Sequence, residues 1–119
     1  MVLVDTSVWI EHLRRGSDQL SDLLLNNQVY CHGFIIGELA CGHLKNRDRI
    51  LNLLNSLQKA AIAEDMEVMQ LIEEHRLYGR GLGWIDAHLL SSALLSGVQL
   101  WTMDKHLIKV TGQLGIHYR

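Results

Sequence analysis

A chain of 119 residues, 48% of them hydrophobic, has room for one sizeable core and not for two, so residues 1–119 are expected to form a single domain. A net charge of −2 with a pI near 6.4 excludes a general nucleic-acid coating protein, which is basic overall. It leaves room for an enzyme that keeps carboxylates in a pocket and Arg or Lys around its rim.

No apolar run reaches membrane-spanning length. The first residues read as a strand with no basic stretch before it, unlike a signal peptide. Two cysteines, Cys31 and Cys41, lack the density of a secreted disulfide scaffold. The expectation is a reduced, cytoplasmic protein with no membrane attachment.

Met1 to Val4 is an apolar run rich in β-branched residues and too short for a helix, so it reads as a buried strand. It stops at Asp5-Thr6-Ser7. A short helix follows from Ser7 to Arg15, ended by Gly16, then another over Asp18–Asn26, broken by Asn26-Asn27. Gln28 to His32 reads as a second strand and Phe34–Leu44 as a helix carrying Glu38. Asn46–Leu57 places Ile50, Leu53, Leu54 and Leu57 at helical spacing. Ala60–Ala63 is a weak strand, and a longer helix runs from Glu64-Asp65 to Tyr78. Gly79-Arg80-Gly81-Leu82-Gly83 is a loop. Trp84–Ser96 is a strongly apolar helix ended by Gly97. Val98–Thr102 is a strand, Lys105–Thr111 a helix, and Ile116–Tyr118 a last edge strand.

Strands alternate with helices from end to end. That pattern predicts an α/β domain with a mainly parallel sheet and helices on both faces. In such sheets the working crevice lies at the carboxyl ends of the strands. Asp5 and Asp104 fall at such ends, and Glu38 and Asp86 lie early in helices. Taken singly, each acid is explained by helix capping or by the helix macrodipole. Their neighbours argue further. Asp5 follows Val4, Glu38 sits among Phe34, Ile35, Ile36 and Leu39, and Asp86 lies between Ile85 and Ala87. A carboxylate at the margin of a core is costly unless paired or metal-bound. Glu64, Asp65, Glu67, Glu73 and Glu74, in polar company, read as helix surface. Four converging carboxylates suit a hard divalent cation, Mg²⁺ or Mn²⁺, and such a site suits phosphodiester hydrolysis.

The segments Val4-Asp5-Thr6-Ser7-Val8-Trp9-Ile10, Ile36-Gly37-Glu38-Leu39, Gly83-Trp84-Ile85-Asp86-Ala87 and Trp101-Thr102-Met103-Asp104 together resemble the PIN-domain family. Within it the chain looks most like the VapC-type toxins of bacterial toxin–antitoxin pairs, over essentially its whole length. The resemblance implies a three-layer fold with a parallel five-stranded sheet, an Mg²⁺- or Mn²⁺-dependent ribonuclease, a cognate VapB-type antitoxin and a homodimer. Carried over by position, Asp5, Glu38, Asp86 and Asp104 form the acidic site. Asp5 and Asp86 hold the metal, Glu38 and Asp104 directly or through water, and Thr6, Ser7 and Thr102 support them. Lys105 and His106 follow Asp104 where family members often carry a further acidic or polar residue.

Seven histidines are scattered without the HExxH spacing of a zinc site. Arg80, His88 and His106 are candidates for substrate contact, and Arg14, Arg15, Lys45, Arg47 and Arg49 for a basic groove. Trp9 and Trp101 read as core, and Trp84, beside Gly83, as partly exposed. Apolar content in the first helices (Trp9, Ile10, Leu13, Leu20, Leu24) suggests a groove for a partner's segment. Three other readings compete: an RNA-processing nuclease without antitoxin, a receiver-like Mg²⁺-binding signalling module, and a binding module in which all four acids are caps.

Overall fold

The run Val2-Leu3-Val4 becomes β1, an inner strand of the sheet whose three side chains are at most 2% exposed. The computed structural model describes all 119 residues. After β1 come α1 (Thr6–Arg15), α2 (Asp18–Leu25), β2 (Val29–Cys31), α3 (Gly33–Cys41), α4 (Arg47–Ser56), β3 (Gln58–Lys59), α5 (Asp65–Glu74), α6 (Trp84–Ser96), β4 (Gln99–Trp101) and α7 (Lys105–Gln113). The sheet order is β3-β2-β1-β4 and every pairing is parallel. A parallel inner strand is covered on both faces, which is why β1 reads as an unbroken apolar run.

The order fixes where a site can lie. From β1 the chain steps outward through β2 to β3, then returns across the sheet to place β4 on the other side of β1. Right-handed crossovers therefore put α1 to α4 on one face and α5 to α7 on the other. The reversal of winding opens a crevice between β1 and β4 at their carboxyl ends. Asp5 follows β1 there, and Thr102 and Asp104 follow β4.

Three expectations are corrected. The sheet has four strands, not five: the expected last strand is a single bridge between Leu100 and His117. The third strand is Gln58–Lys59 rather than 60–63; only Ala60 touches the ladder there, its N–H donating to Cys31 O at 2.9 Å. The fifth helix stops at Glu74, not Tyr78. Arg76 adopts φ 52°, and Leu77 N–H reaches back to Ile72 O at 2.9 Å, closing the helix with a left-handed turn that has no glycine to announce it.

Twenty-one buried residues form one main core, among them Leu3, Trp9, Leu20, Ile35, Leu89 and Leu100. Trp9 and Leu20 are at most 1% exposed. Of the five side chains expected to form a partner groove, Trp9 and Leu20 belong to the core and Leu24 packs against it, which leaves half-buried Leu13 and exposed Ile10.

Candidate active site

The ladder between β1 and β4 runs one residue past β1, through Asp5 N–H to Trp101 O at 2.9 Å. This sets Asp5 at the start of α1, where Oδ1 accepts from Thr6 N–H at 2.8 Å. Oδ2 accepts from Thr102 Oγ1 at 2.7 Å and Ser7 Oγ at 3.0 Å. Each hydroxyl donates its one proton to Asp5 and accepts from the chain after β4. Ser7 Oγ takes Met103 N–H at 3.0 Å, and Thr102 Oγ1 takes Asp104 N–H at 3.1 Å. Two backbone amides thus fix two hydroxyls, which fix one carboxylate. Asp5 itself caps α1, so neither Thr6 nor Ser7 is needed as the cap.

The other three acids are each held by one oxygen. Thr6 Oγ1 donates to Glu38 Oε1 at 2.8 Å, so Thr6 positions Glu38 and not Asp5. Gly83 N–H donates to Asp86 Oδ2 at 3.0 Å. Asp104 Oδ1 caps α7, accepting from His106 and Leu107 N–H at 2.9 and 3.0 Å. Glu38 Oε2, Asp86 Oδ1 and Asp104 Oδ2 are left without a protein donor.

The electrostatics join the four. Burial pushes the Asp86 carboxyl above the usual carboxylate range, and the charges of Asp5, Asp104 and Glu38 add to the shift, against the Gly83 hydrogen bond. The molecule has two ion pairs, Arg15–Glu11 and His88–Asp65, and neither includes a site acid. The negative charge is therefore uncompensated by protein. An all-oxygen donor set of this kind fits a hard divalent cation. No three Asp, Glu, His or Cys side chains stand at caging distance of one another, so the fit is to an ion held by one or two carboxylates and water, the habit of Mg²⁺.

A raised carboxyl pKa means the folded chain binds the proton more tightly than the unfolded one. That contribution is complete below the unfolded pKa and is lost as pH rises through the folded one. Without metal, Asp86→Asn is therefore expected to melt higher than wild type at neutral pH. The gain should shrink as pH falls into the carboxylate range. Thermal scans from pH 4 to 8 in EDTA check this; a variant that melts lower at pH 7 would make Asp86 a structural cap.

A family model described as "PIN domain" matches residues 2–113. The chain belongs to the PIN-domain family. Ribonuclease VapC32 of Mycobacterium tuberculosis is 47% identical over 117 residues, 98% of this chain and 94% of that protein, so within the family the chain is of the VapC type. Two crystal structures share the fold: FitAcB from Neisseria gonorrhoeae (TM-score 0.67, 19% identity, 94% of each chain covered) and PAE2754 from Pyrobaculum aerophilum (TM-score 0.61, 20% identity, 96% of this chain and 88% of that one).

Around the PIN acids, other expected residues fall differently. His88 is buried, not presented to substrate: its Nε2 meets Asp65 Oδ1 at 3.1 Å, and its ring packs edge-on against Trp84 and Phe34. Asp65 is on the helix surface as expected, its side chain 81% exposed, and adds this one contact. His106 is exposed beside Asp104, its ring lying over Gly81. Arg80 is anchored through Nη1 to Gln113 Oε1 at 2.7 Å. In the proposed basic groove, Arg47 instead caps α3 through the carbonyls of Ala40 and Gly42, and Arg15 pairs with Glu11.

His32, in sequence one of the scattered histidines and the end of the second strand, is buried. It follows β2 as Asp5 follows β1, a positional signal that was available. Its Nδ1 accepts from Phe34 N–H at 3.0 Å, which leaves the proton on Nε2 to reach Ser92 Oγ at 3.1 Å. Burial, and secondarily His88, lowers its pKa and keeps it neutral in this role.

Gly81 has φ 79°, and a Cβ built there would lie 2.9 Å from the His106 ring. Gly81→Ala is expected to lose about 1–2 kcal/mol from the left-handed backbone and to push the ring aside. Melting curves and the His106 ring NMR shifts check both.

Proposed function

We propose that this protein is a metal-dependent endoribonuclease, the toxin of a type II toxin–antitoxin pair, which hydrolyses RNA phosphodiester bonds at Asp5, Glu38, Asp86 and Asp104. The observation that carries the reading is the set of four acids at the β1–β4 crevice, mutually repelling and without a protein cation. Its near relative's name, Ribonuclease VapC32, supports RNA as substrate. The protein acts in the cytoplasm as a homodimer, restrained by a cognate VapB-type antitoxin; no helix is long and apolar enough to cross a membrane.

Asp5 and Asp86 would hold Mg²⁺ or Mn²⁺, with Glu38 and Asp104 joining through water. When bound, the cation supplies charge neutralisation and Lewis-acid activation of phosphate and water. The chain's own part is placement. Ser7 and Thr102 lock Asp5 by two hydrogen bonds, so its charge is in place before substrate arrives. Thr6 steers Glu38 and the first turn of α6 steers Asp86. His106, exposed beside Asp104, is where an RNA phosphate would meet the site, whereas Arg80 is held by Gln113 at the far end of α7.

A single-stranded RNA is expected to be cut with Mg²⁺ or Mn²⁺ and to stay intact with EDTA. Divalent cation at about 100 times its Kd should also stabilise the fold by about 2.7 kcal/mol, read as a rise in melting temperature. Cleavage that persists in EDTA would sink the metal reading. Covalent uptake of phosphate from a small phosphodonor, seen by mass, would restore the receiver-like alternative.

A further inference from the structure

The loop from Tyr78 to Gly83 and the start of α6 enclose a cleft of about 310 Å³ whose lining is mostly apolar: Ile72, Leu77, Tyr78, Leu82, Trp84 and Ala87 are its hydrophobic walls. Two aromatic rings line it, and both remain substantially exposed, Tyr78 at 61% and Trp84 at 42%. Exposed apolar side chains that adjoin in one cleft, unlike ones scattered singly, mark an interaction site. We infer that this cleft binds an unpaired nucleobase of the RNA strand, stacked on Trp84, beside the bond to be cut.

Four observations converge on that occupant. The first is size: 310 Å³ suits one planar base and is near the lower end for ligand sites. The second is continuity with the acids. Gly83 lines the cleft and also donates to Asp86 Oδ2 at 3.0 Å, so a base in the cleft lies one residue from a site carboxylate. The third is rigidity. The Trp84 ring meets His88 edge-on, centroids 4.7 Å apart, and His88 is held by Asp65. Phe34 braces the same imidazole at 5.0 Å. This explains why a buried histidine in α6 reaches across to an otherwise solvated acid: the pair holds the platform still, which lowers the entropy cost of stacking. The fourth is charge. No charged side chain lines the cleft, and Arg80 on its loop turns away to Gln113 at 2.7 Å, so the cleft suits the uncharged base and not the phosphate. Stacking on such a ring is sequence-tolerant, because every base presents a π-face.

The inference rests on the ribonuclease reading, and the test separates the two. Steady-state cleavage of a 12-nucleotide single-stranded RNA in Mg²⁺ is compared for wild type, Trp84→Leu, Trp84→Phe and Tyr78→Leu. Loss of one stacked base corresponds to about a 5- to 150-fold change. It should appear in Trp84→Leu as a higher KM, with kcat within about threefold because uniform binding is what is lost. Trp84→Phe should recover most of it. Tyr78→Leu, at an exposed position, should raise KM as well and serves if Trp84→Leu folds poorly. In the uncut state, with EDTA and excess RNA, tryptophan emission should be quenched in wild type and much less in Trp84→Leu. Cleavage with unchanged KM in both Leu variants overturns the cleft and leaves the ribonuclease standing. Quenching by RNA without cleavage keeps the cleft and overturns the ribonuclease. Unchanged RNA binding with weakened capture of the antitoxin would assign the cleft to a protein side chain and overturn the inference.

Discussion

Asp5→Asn is expected to lower RNA cleavage at least about 100-fold, since changing even a residue that supports a metal ligand typically costs 10- to 100-fold. The physical cause is more than the lost charge. In wild type, Oδ2 receives two hydroxyl protons, from Ser7 and Thr102. An Asn amide placed there presents protons to protons, and both hydroxyls already accept from Met103 and Asp104 N–H. The alternative flip turns the amide toward Thr6 N–H, again donor against donor. Either way the network that sets β4's exit against α1 loses a partner, at about 1–3 kcal/mol. Relief of repulsion with the other acids offsets part of this, so the folded fraction at 25 °C should stay near complete. The checks are cleavage in Mg²⁺ and a thermal melt of the same preparation. A variant that melts normally and cuts within a few-fold of wild type would remove Asp5 from the machinery.

Much of this site was legible because its acids break apolar sequence. Asp5 after Val4 and Asp86 between Ile85 and Ala87 stand out where no polar face is due, and both fall at the crevice. The alternation of strands and helices fixed a parallel sheet and hence which edge matters. What was not legible depended on groups whose role appears only in three dimensions. His88 looks like a rim residue because it lies two positions after Asp86; on a helix that spacing points it away from Asp86, to be covered by Phe34 and Trp84. His32 looks like any residue ending a strand until Ser92, sixty residues on, is seen to face it. The end of α5 at Arg76 is a left-handed turn without glycine, and no local signal marks it. The apolar face of α1 and α2 suggested a partner; in the fold Trp9 and Leu20 fill the core instead. Apolar count alone cannot tell an interface from a core in a chain this short.

The capping reading and the metal reading compete in the sequence and are compatible in the structure. Asp5 and Asp104 do cap α1 and α7. Each spends Oδ1 on that task, and a carboxylate has a second oxygen. For Asp104 it is without a protein donor; for Asp5 the two hydroxyls fill both lone-pair directions of Oδ2, and the free one is on Oδ1, which accepts only from Thr6 N–H. Capping is thus how the helices aim the acids, and the helix N-termini partly offset the repulsion that metal-free acids suffer.

Leu100→Ala is expected to destabilise the fold by about 2–5 kcal/mol, a large share of the roughly 5–15 kcal/mol of a domain this size. Leu100 is 0% exposed and pairs in register with Leu3 across β1–β4. On its other side its N–H donates to Ile116 O at 2.8 Å and its carbonyl accepts from Tyr118 N–H at 3.2 Å. A cavity here opens at the strand joint that carries Thr102 and Asp104. The hydrogen bonds of Leu100 are backbone bonds, so the native site geometry survives truncation while the native population falls. Denaturant unfolding should therefore show a lower midpoint with an unchanged slope. Saturating Mg²⁺ should add the same stabilisation as in wild type, because the intact native state binds it equally. A loss below about 1 kcal/mol would mean that the sheet relaxes to fill the space. A lost Mg²⁺ increment would mean that the side chain of Leu100, and not just its backbone, holds the β1–β4 crevice in register.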